Sequence, residues 1–287
     1  ICRSSGVEIG HVVIRARASG ERGVYVDGHA VADATPLITI SASSPIVIRA
    51  LASSRVATAF APRMRMAAHA SATSAAATYS LAWTLAKRRR RAGAHAHYFA
   101  CLPQKCALLW CAWSREELAA LGDADAARRA RADAAAVTAA YNHMALTADL
   151  AQAPPPSRRD WRWAVSVVVS RAFRDPSQNA AAALALVPVL DAVNHDPAGR
   201  AITLTKATRL PAAGTAADTA AGGTGVAWTI VAHEALAVGD EVVWAYSAAS
   251  GLFAMLSAYG FIPADARRTS CLRVRIEWRN AALAAHD

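Results

Sequence analysis

A long Ala-rich, helix-favouring block, from about Phe60 to Phe173, lies between two stretches of β-type sequence, and this order limits the possible folds most. Before the block, Val12-Val13-Ile14, Gly23-Val24-Tyr25-Val26 and Leu37-Ile38-Thr39-Ile40 are β-branched or aromatic runs separated by Gly, Asp and Pro turn signals. After it, Ile202 and Leu204 alternate with Thr203 and Thr205. Val226, Trp228 and Ile230 alternate in the same way with Ala227 and Thr229, which predicts two strands around an Ala-, Gly- and Thr-rich surface connector, Pro211 to Gly225. Its Gly222-Gly223-Thr224-Gly225 is not a phosphate loop, because no helix pattern follows it. The expectation is an α+β fold of short sheets with a helical insertion, and no internal repeat is visible.

Local signals punctuate this order. Ser114-Arg115-Glu116-Glu117 has capping-box spacing ahead of Leu118 and Leu121. Pro154-Pro155-Pro156 marks a loop, and Asp160 then precedes Trp161, Ala164, Val165, Val168 and Val169 at helical spacing. Further on, Leu236 to Asp240 reads as a turn, Glu241 to Tyr246 as a strand, and Ser250 to Tyr259 as a short helix. That helix would turn Leu252, Phe253 and Leu256 inward and stop at Gly260.

Composition excludes several classes. With 54% hydrophobic and 18% charged residues, the 287-residue chain is globular and could hold one large domain or two modest ones. Charged and polar residues break every apolar run short of the roughly 18 residues a membrane helix needs, so no membrane partner is expected. The chain begins at Ile1, with no signal-peptide pattern, and is expected to be an internal fragment or a processed form. Its five cysteines, Cys2, Cys101, Cys106, Cys111 and Cys271, lack the paired spacing of a zinc site. They are read as reduced thiols with no metal, in an intracellular, reducing compartment: cytoplasm, plastid or nucleus. The charge of +10 is concentrated partly in Lys87-Arg88-Arg89-Arg90-Arg91 and Arg128-Arg129-Ala130-Arg131. No aromatic residues interleave these runs, so they read as solvated helix ends rather than a nucleic-acid platform.

Four short signatures follow in one order. They are Ser170-Arg171-Ala172-Phe173, then Leu186-Val187-Pro188-Val189-Leu190-Asp191-Ala192-Val193-Asn194-His195, then Gly239-Asp240-Glu241-Val242-Val243-Trp244-Ala245-Tyr246, and finally Ala258-Tyr259-Gly260-Phe261. Alone, an Asn-His-Asp loop is an ordinary turn, and a Tyr at a strand end is ordinary packing. Together the four resemble the catalytic half of a SET-domain protein methyltransferase, of the branch typified by the plant Rubisco large-subunit lysine methyltransferase. The resemblance extends to the segment from Gly23 to Ile40, which looks like the family's glycine turn and second strand. It also takes in His97-Tyr98-Phe99-Ala100-Cys101-Leu102-Pro103 and Trp113 to Leu118, which look like its helical insert.

The resemblance implies the SET-domain fold with an inserted helical region. Residues 1–60 would be the N-terminal part of the SET domain, 61–165 the insert, and 166–262 its C-terminal part. Residues 263–287 would begin a helical substrate-binding domain that is otherwise largely absent. The implied cofactor is S-adenosyl-L-methionine, the implied partner is a protein presenting a lysine, and the implied reaction is lysine N-methylation.

Tyr246 would be the catalytic tyrosine, orienting the amine and shaping the methyl channel. Arg22, Arg171, Asn194, His195 and Tyr246 would hold the cofactor. Arg171, Phe173, Asp191, Trp244, Tyr259 and Phe261 would form the lysine site, with Asp191 at its entrance and Phe173 as a wall for the aliphatic stem. One departure is that the family's acidic residue in the glycine turn aligns with Gly20, while Glu21 stands one place late.

A non-histone substrate is expected, since no zinc-binding cysteine cluster is present and the chain is itself basic. Two other readings stay open. One is a catalytically weak SET-like module holding an acidic partner, and the other a protein-histidine methyltransferase, which the Arg-Ala-Phe pattern disfavours. A hydrolase using His195 or His233 is disfavoured, since no Gly-x-Ser-x-Gly elbow or other nucleophile motif accompanies those histidines.

Overall fold

The computed structural model describes residues 6–16, 22–50, 72–89, 93–104, 112–150, 154–175, 177, 183–196, 202–207, 227–246 and 252–262. Expectations for Gly20, Glu21, four of the cysteines, Arg90, Arg91, the connector 211–225 and the segment 263–287 lie outside these residues.

Strand β1 (Val7–Ile9), the hairpin β2 (Val12–Ala16) and β3 (Arg22–Val26), β4 (Pro36–Ser41) and β5 (Ile48–Arg49) open the chain. Helices α1 (Ala72–Arg89), α2 (Ala96–Cys101), α3 (Arg115–Ala120), α4 (Ala124–Leu150) and α5 (Arg158–Arg171) follow. The chain returns to β6 (Ala172–Arg174), β7 (Leu184–Leu186), a 3-10 turn (Leu190–Ala192) and β8 (Asn194–His195). Strands β9 (Ile202–Ala207), β10 (Ala227–Ala232) and β11 (Glu241–Trp244) and helix α6 (Leu252–Tyr259) complete the described elements. The α+β architecture with a helical insertion is as the sequence predicts.

Three small sheets result, with strand orders β1-β4-β10-β9, β2-β3-β11-β8 and β5-β7-β6. The β-branched run of β4 makes it a central strand, bonded to β1 on one side and β10 on the other. Strand β10 departs from expectation. Alternation predicts burial on one face, yet Ala227, Trp228, Thr229 and Ile230 are all buried, because both faces of this strand are covered. The strand read as Glu241 to Tyr246 ends at Trp244, so Tyr246 stands beyond the ladder. The last helix is described from Leu252, its expected start at Ser250 lying outside the described residues, and it stops at Gly260, whose φ of 78° suits a residue without Cβ.

Helix α5 begins two residues before Asp160. Ser157 is the cap, accepting from the Asp160 amide at 3.1 Å and donating to its carboxylate at 2.7 Å. The capping box of α3 forms as predicted, with Glu117 N donating to Ser114 Oγ and Ser114 N donating to Glu117 Oε2. Burial on α5 exceeds the predicted stripe. Trp163 and Val167 are also buried, because other parts of the insert cover that face.

Trp163 Nε1 donates to Pro103 O at 2.6 Å, and the Arg89 guanidinium lies 4.0 Å from the Trp163 ring centroid. The basic run is therefore not simply a solvated helix end, since Arg89 rests on the indole face and is only 21% exposed. Cys101 is a free, exposed thiol.

Two apolar cores meet at β7. Side-chain alternation sends Leu186 into the core of the insert helices, with Trp161 and Trp163, and Ala185 into the core of the sheets, with Ile40 and Val242. The C-terminal end of α5 and strand β6 run along this seam. A part-buried ion pair lies here, with Arg49 Nε donating to Asp175 Oδ2 at 2.6 Å, the Asp175 side chain fully buried and that of Arg49 24% exposed.

Candidate functional site

A cleft of about 220 Å³ opens at the seam. Ser170 and Arg171 come to it from the end of α5, Phe173 from β6, Asp191 from the 3-10 turn, Trp244 and Tyr246 from the end of β11, and Tyr259 from α6. The aromatic rings form a run of neighbours. Centroid separations are 5.5 Å for Phe173 and Trp244, 5.9 Å for Trp244 and Tyr246, and 4.7 Å for Tyr246 and Tyr259. Such walls suit the stem of a long cationic side chain. Trp244 Nε1 is buried with no hydrogen-bond partner, an unused donor in a residue that lines the cleft.

Asp191 supplies the acidic group, but not at the entrance. Its side chain is only 4% exposed and lies within the wall. The Tyr98 hydroxyl donates to Asp191 Oδ2 at 2.8 Å. Arg171 Nη1 donates to the Asp191 backbone oxygen at 2.6 Å and stands 3.7 Å from Oδ2. Burial pushes the Asp191 carboxyl upward, while Arg171 and the Tyr98 hydrogen bond pull it down. The turn carrying Asp191 is entered through Val189 at φ 78°, a conformation a β-branched residue seldom adopts. Arg171 thus lines the aromatic cleft with Asp191.

Tyr246 lies between the cleft and a second group of residues. Its hydroxyl donates to Val193 O at 2.8 Å, and its amide donates to His195 Nδ1 at 3.1 Å. Burial raises the phenol to about 12, so it stays protonated at neutral pH. The short parallel pairing of β8 and β11 sets this arrangement, with Asn194 opposite Val243 and His195 opposite Trp244.

Asn194 Nδ2 donates to Arg22 O at 2.8 Å and to Glu241 Oε1 at 2.7 Å. Both amide hydrogens face protein, which leaves Asn194 Oδ1 as an acceptor for a ligand. Gly23 borders this cluster, where a Cβ would collide with Glu241 Oε1. The Arg22 guanidinium turns away and donates to Cys101 O of α2, so only its backbone stands beside Asn194. Phe261 is not among the residues that line the aromatic cleft. Its ring is 5.8 Å from His195, on the side of the Asn194-His195 pair.

Two participants have no counterpart in the sequence reading. Tyr98 is recognisable there only as part of an insert segment, and Glu241 only as part of the third signature. Among the described residues, no group of three or more His, Cys, Asp or Glu could hold a metal ion, and no helix is long and apolar enough to cross a membrane.

The sequence matches no family model and no curated protein. Solved structures do resemble the chain. The SET domain of LSMT bound to lysine and AdoHcy matches with a TM-score of 0.65 at 19% identity, over 92% of this chain and 54% of that one. Rubisco LSMT bound to sinefungin and monomethyllysine matches with a TM-score of 0.60 at 19% identity, over 92% and 55%. Rubisco LSMT bound to AdoMet matches with a TM-score of 0.60 at 18% identity, over 89% and 52%. The chain spans about half the length of these solved relatives, and its fold is that of their SET domain.

Proposed function

We propose that this chain, a SET-domain fold, transfers a methyl group from S-adenosylmethionine to the side-chain nitrogen of a lysine in a non-histone protein. One observation carries the reading. Tyr246 is shared between an aromatic cleft, whose wall holds Asp191 beside Arg171 and Arg174, and the Asn194-His195 pair, as a transfer between two ligands requires.

The residues on the Asn194 side fit the cofactor. Asn194 Oδ1 suits its ammonium end, and the ring of Phe261, packed against His195, offers an apolar face for a flat base. When bound, the cofactor supplies an electrophilic sulfonium methyl. The side chains of this protein do the rest by position. Asp191 and the aromatic walls receive the lysine as a cation. Removal from water within the cleft then favours the neutral amine, which is the nucleophile.

Tyr246, neutral and fixed on Val193 O, can orient the amine lone pair through its hydroxyl oxygen but has no charge with which to act as base. The non-histone preference is supported by the net charge of +10, which opposes docking of very basic tails.

Calorimetry with S-adenosylhomocysteine tests the cofactor half. Saturable binding is expected, weakened about tenfold by Asn194→Ala through loss of one good polar contact. No binding by the unaltered chain would contradict the proposal.

A further inference from the structure

We infer that Tyr98 is a positioning residue: its hydroxyl, carried in from the helical insert, fixes the Asp191 carboxylate against which the acceptor lysine is received. The inference rests on the lysine reading of the cleft and adds to it a residue that does not line the cleft.

Three observations support it. First, Tyr98 donates to Asp191 Oδ2 at 2.8 Å, while Arg171 holds the same residue by its backbone oxygen at 2.6 Å. Asp191 is thus held from two helices, by its carboxylate from α2 and by its backbone oxygen from α5.

Second, Asp191 rides on a turn entered through Val189 at φ 78°. A strained backbone of this kind persists only where its surroundings over-determine it, and the bonds to Asp191 do so.

Third, the segment carrying Tyr98 is itself held. Arg22 donates to Cys101 O, Trp163 Nε1 to Pro103 O at 2.6 Å, and Gln104 Nε2 to Phe99 O at 3.0 Å and to Leu102 O at 2.8 Å. Gln104 is held in turn by Arg89 at 2.9 Å. The phenol therefore approaches Asp191 from a fixed direction rather than from a loose side chain.

The titratable and charged groups facing Asp191 are Tyr98 from α2, Arg171 from α5 and Tyr246 beyond β11, with Cys101 facing Tyr98 from its own helix. Burial raises the Asp191 carboxyl, and the Tyr98 hydrogen bond opposes that rise. Without the phenol, one oxygen of a buried carboxylate loses its donor, and both its charge and its direction become less defined.

The test uses the full chain and Tyr98→Phe, which keeps the ring and its packing. Carbon-13 NMR of the aspartate carboxyls, with Asp191 assigned by Asp191→Asn, should show Asp191 titrating at higher pH in Tyr98→Phe. Methyl transfer to free lysine should lose about tenfold in kcat/KM, mainly through a higher KM, and the double variant should lose no more than Asp191→Asn alone. An unmoved Asp191 titration would overturn the inference, as would losses that simply add in the double variant. If the unaltered chain transfers no methyl group to lysine, the proposed function fails, while the titration still decides whether Tyr98 governs Asp191.

Discussion

The Tyr246 hydroxyl donates to the backbone oxygen of Val193 at 2.8 Å, which ties the residue beyond β11 to the one just before Asn194. This bond aims the phenol and keeps the acceptor wall and the Asn194-His195 pair in one frame. Tyr246→Phe should therefore leave thermal stability within about 1 kcal/mol, since one hydrogen bond is at stake. Methyl transfer should fall by about a hundredfold or more, the scale on which removing a single aimed polar group acts. Steady-state assays beside a thermal melt would check both.

Alkaline pH should destabilise the protein through its buried phenols. Burial raises Tyr98 and Tyr259 as well as Tyr246, the last to about 12, against an unfolded value of about 10. A group whose folded pKa is raised contributes stability that is fully present below the unfolded value and is lost as pH climbs toward the folded one. Melting temperature should thus fall between about pH 10 and 12. Tyr246→Phe should show a shallower fall across that window, and an identical slope would contradict this account.

Asp175→Ala should be among the most destabilising single changes. It would leave Arg49 without the carboxylate it bonds at 2.6 Å in a site where Asp175 is fully buried. Breaking one side of a fully buried pair costs about 3–5 kcal/mol, and the 24% exposure of Arg49 places the expected loss at or below the lower end of that range. Denaturant unfolding of Asp175→Ala against a surface control would measure it.

Arg89→Ala and Lys87→Ala should behave differently although the residues are neighbours in one basic run. Arg89 lies 4.0 Å from the Trp163 centroid and 3.4 Å from Asp160, whereas Lys87 is exposed. Loss of about 1 kcal/mol is expected for Arg89→Ala and about none for Lys87→Ala, read from thermal melts.

What the sequence revealed of the fold was what short-range physics dictates. The α3 capping box joins residues three apart and forms as its spacing implies. The β-branched run at Leu37 to Ile40 becomes a central strand for the same local reason. Strand β10 misled, because alternation reports one buried face and cannot reveal that a second layer covers the other.

At the site, Asn194, His195, Tyr246 and Tyr259 stood out only through the resemblance of their motifs to a SET domain, and the chain brings them together. The bond from Tyr98 to Asp191 joins residues 93 apart, and that from Arg49 to Asp175 residues 126 apart. Neither leaves a periodic or local trace, so only the packing of the insert against the sheets reveals them. Phe261 was grouped with the acceptor site by its motif, yet the turn at Gly260 carries it to His195.

The most direct test of the central claim is transfer of a labelled methyl group from S-adenosylmethionine to proteins of a lysate, comparing the unaltered chain with Tyr246→Phe. Label on lysine residues of a discrete acceptor, identified by mass spectrometry and reduced about a hundredfold or more by Tyr246→Phe, is the predicted result. Equal labelling by both proteins, or label confined to other residues, would contradict it.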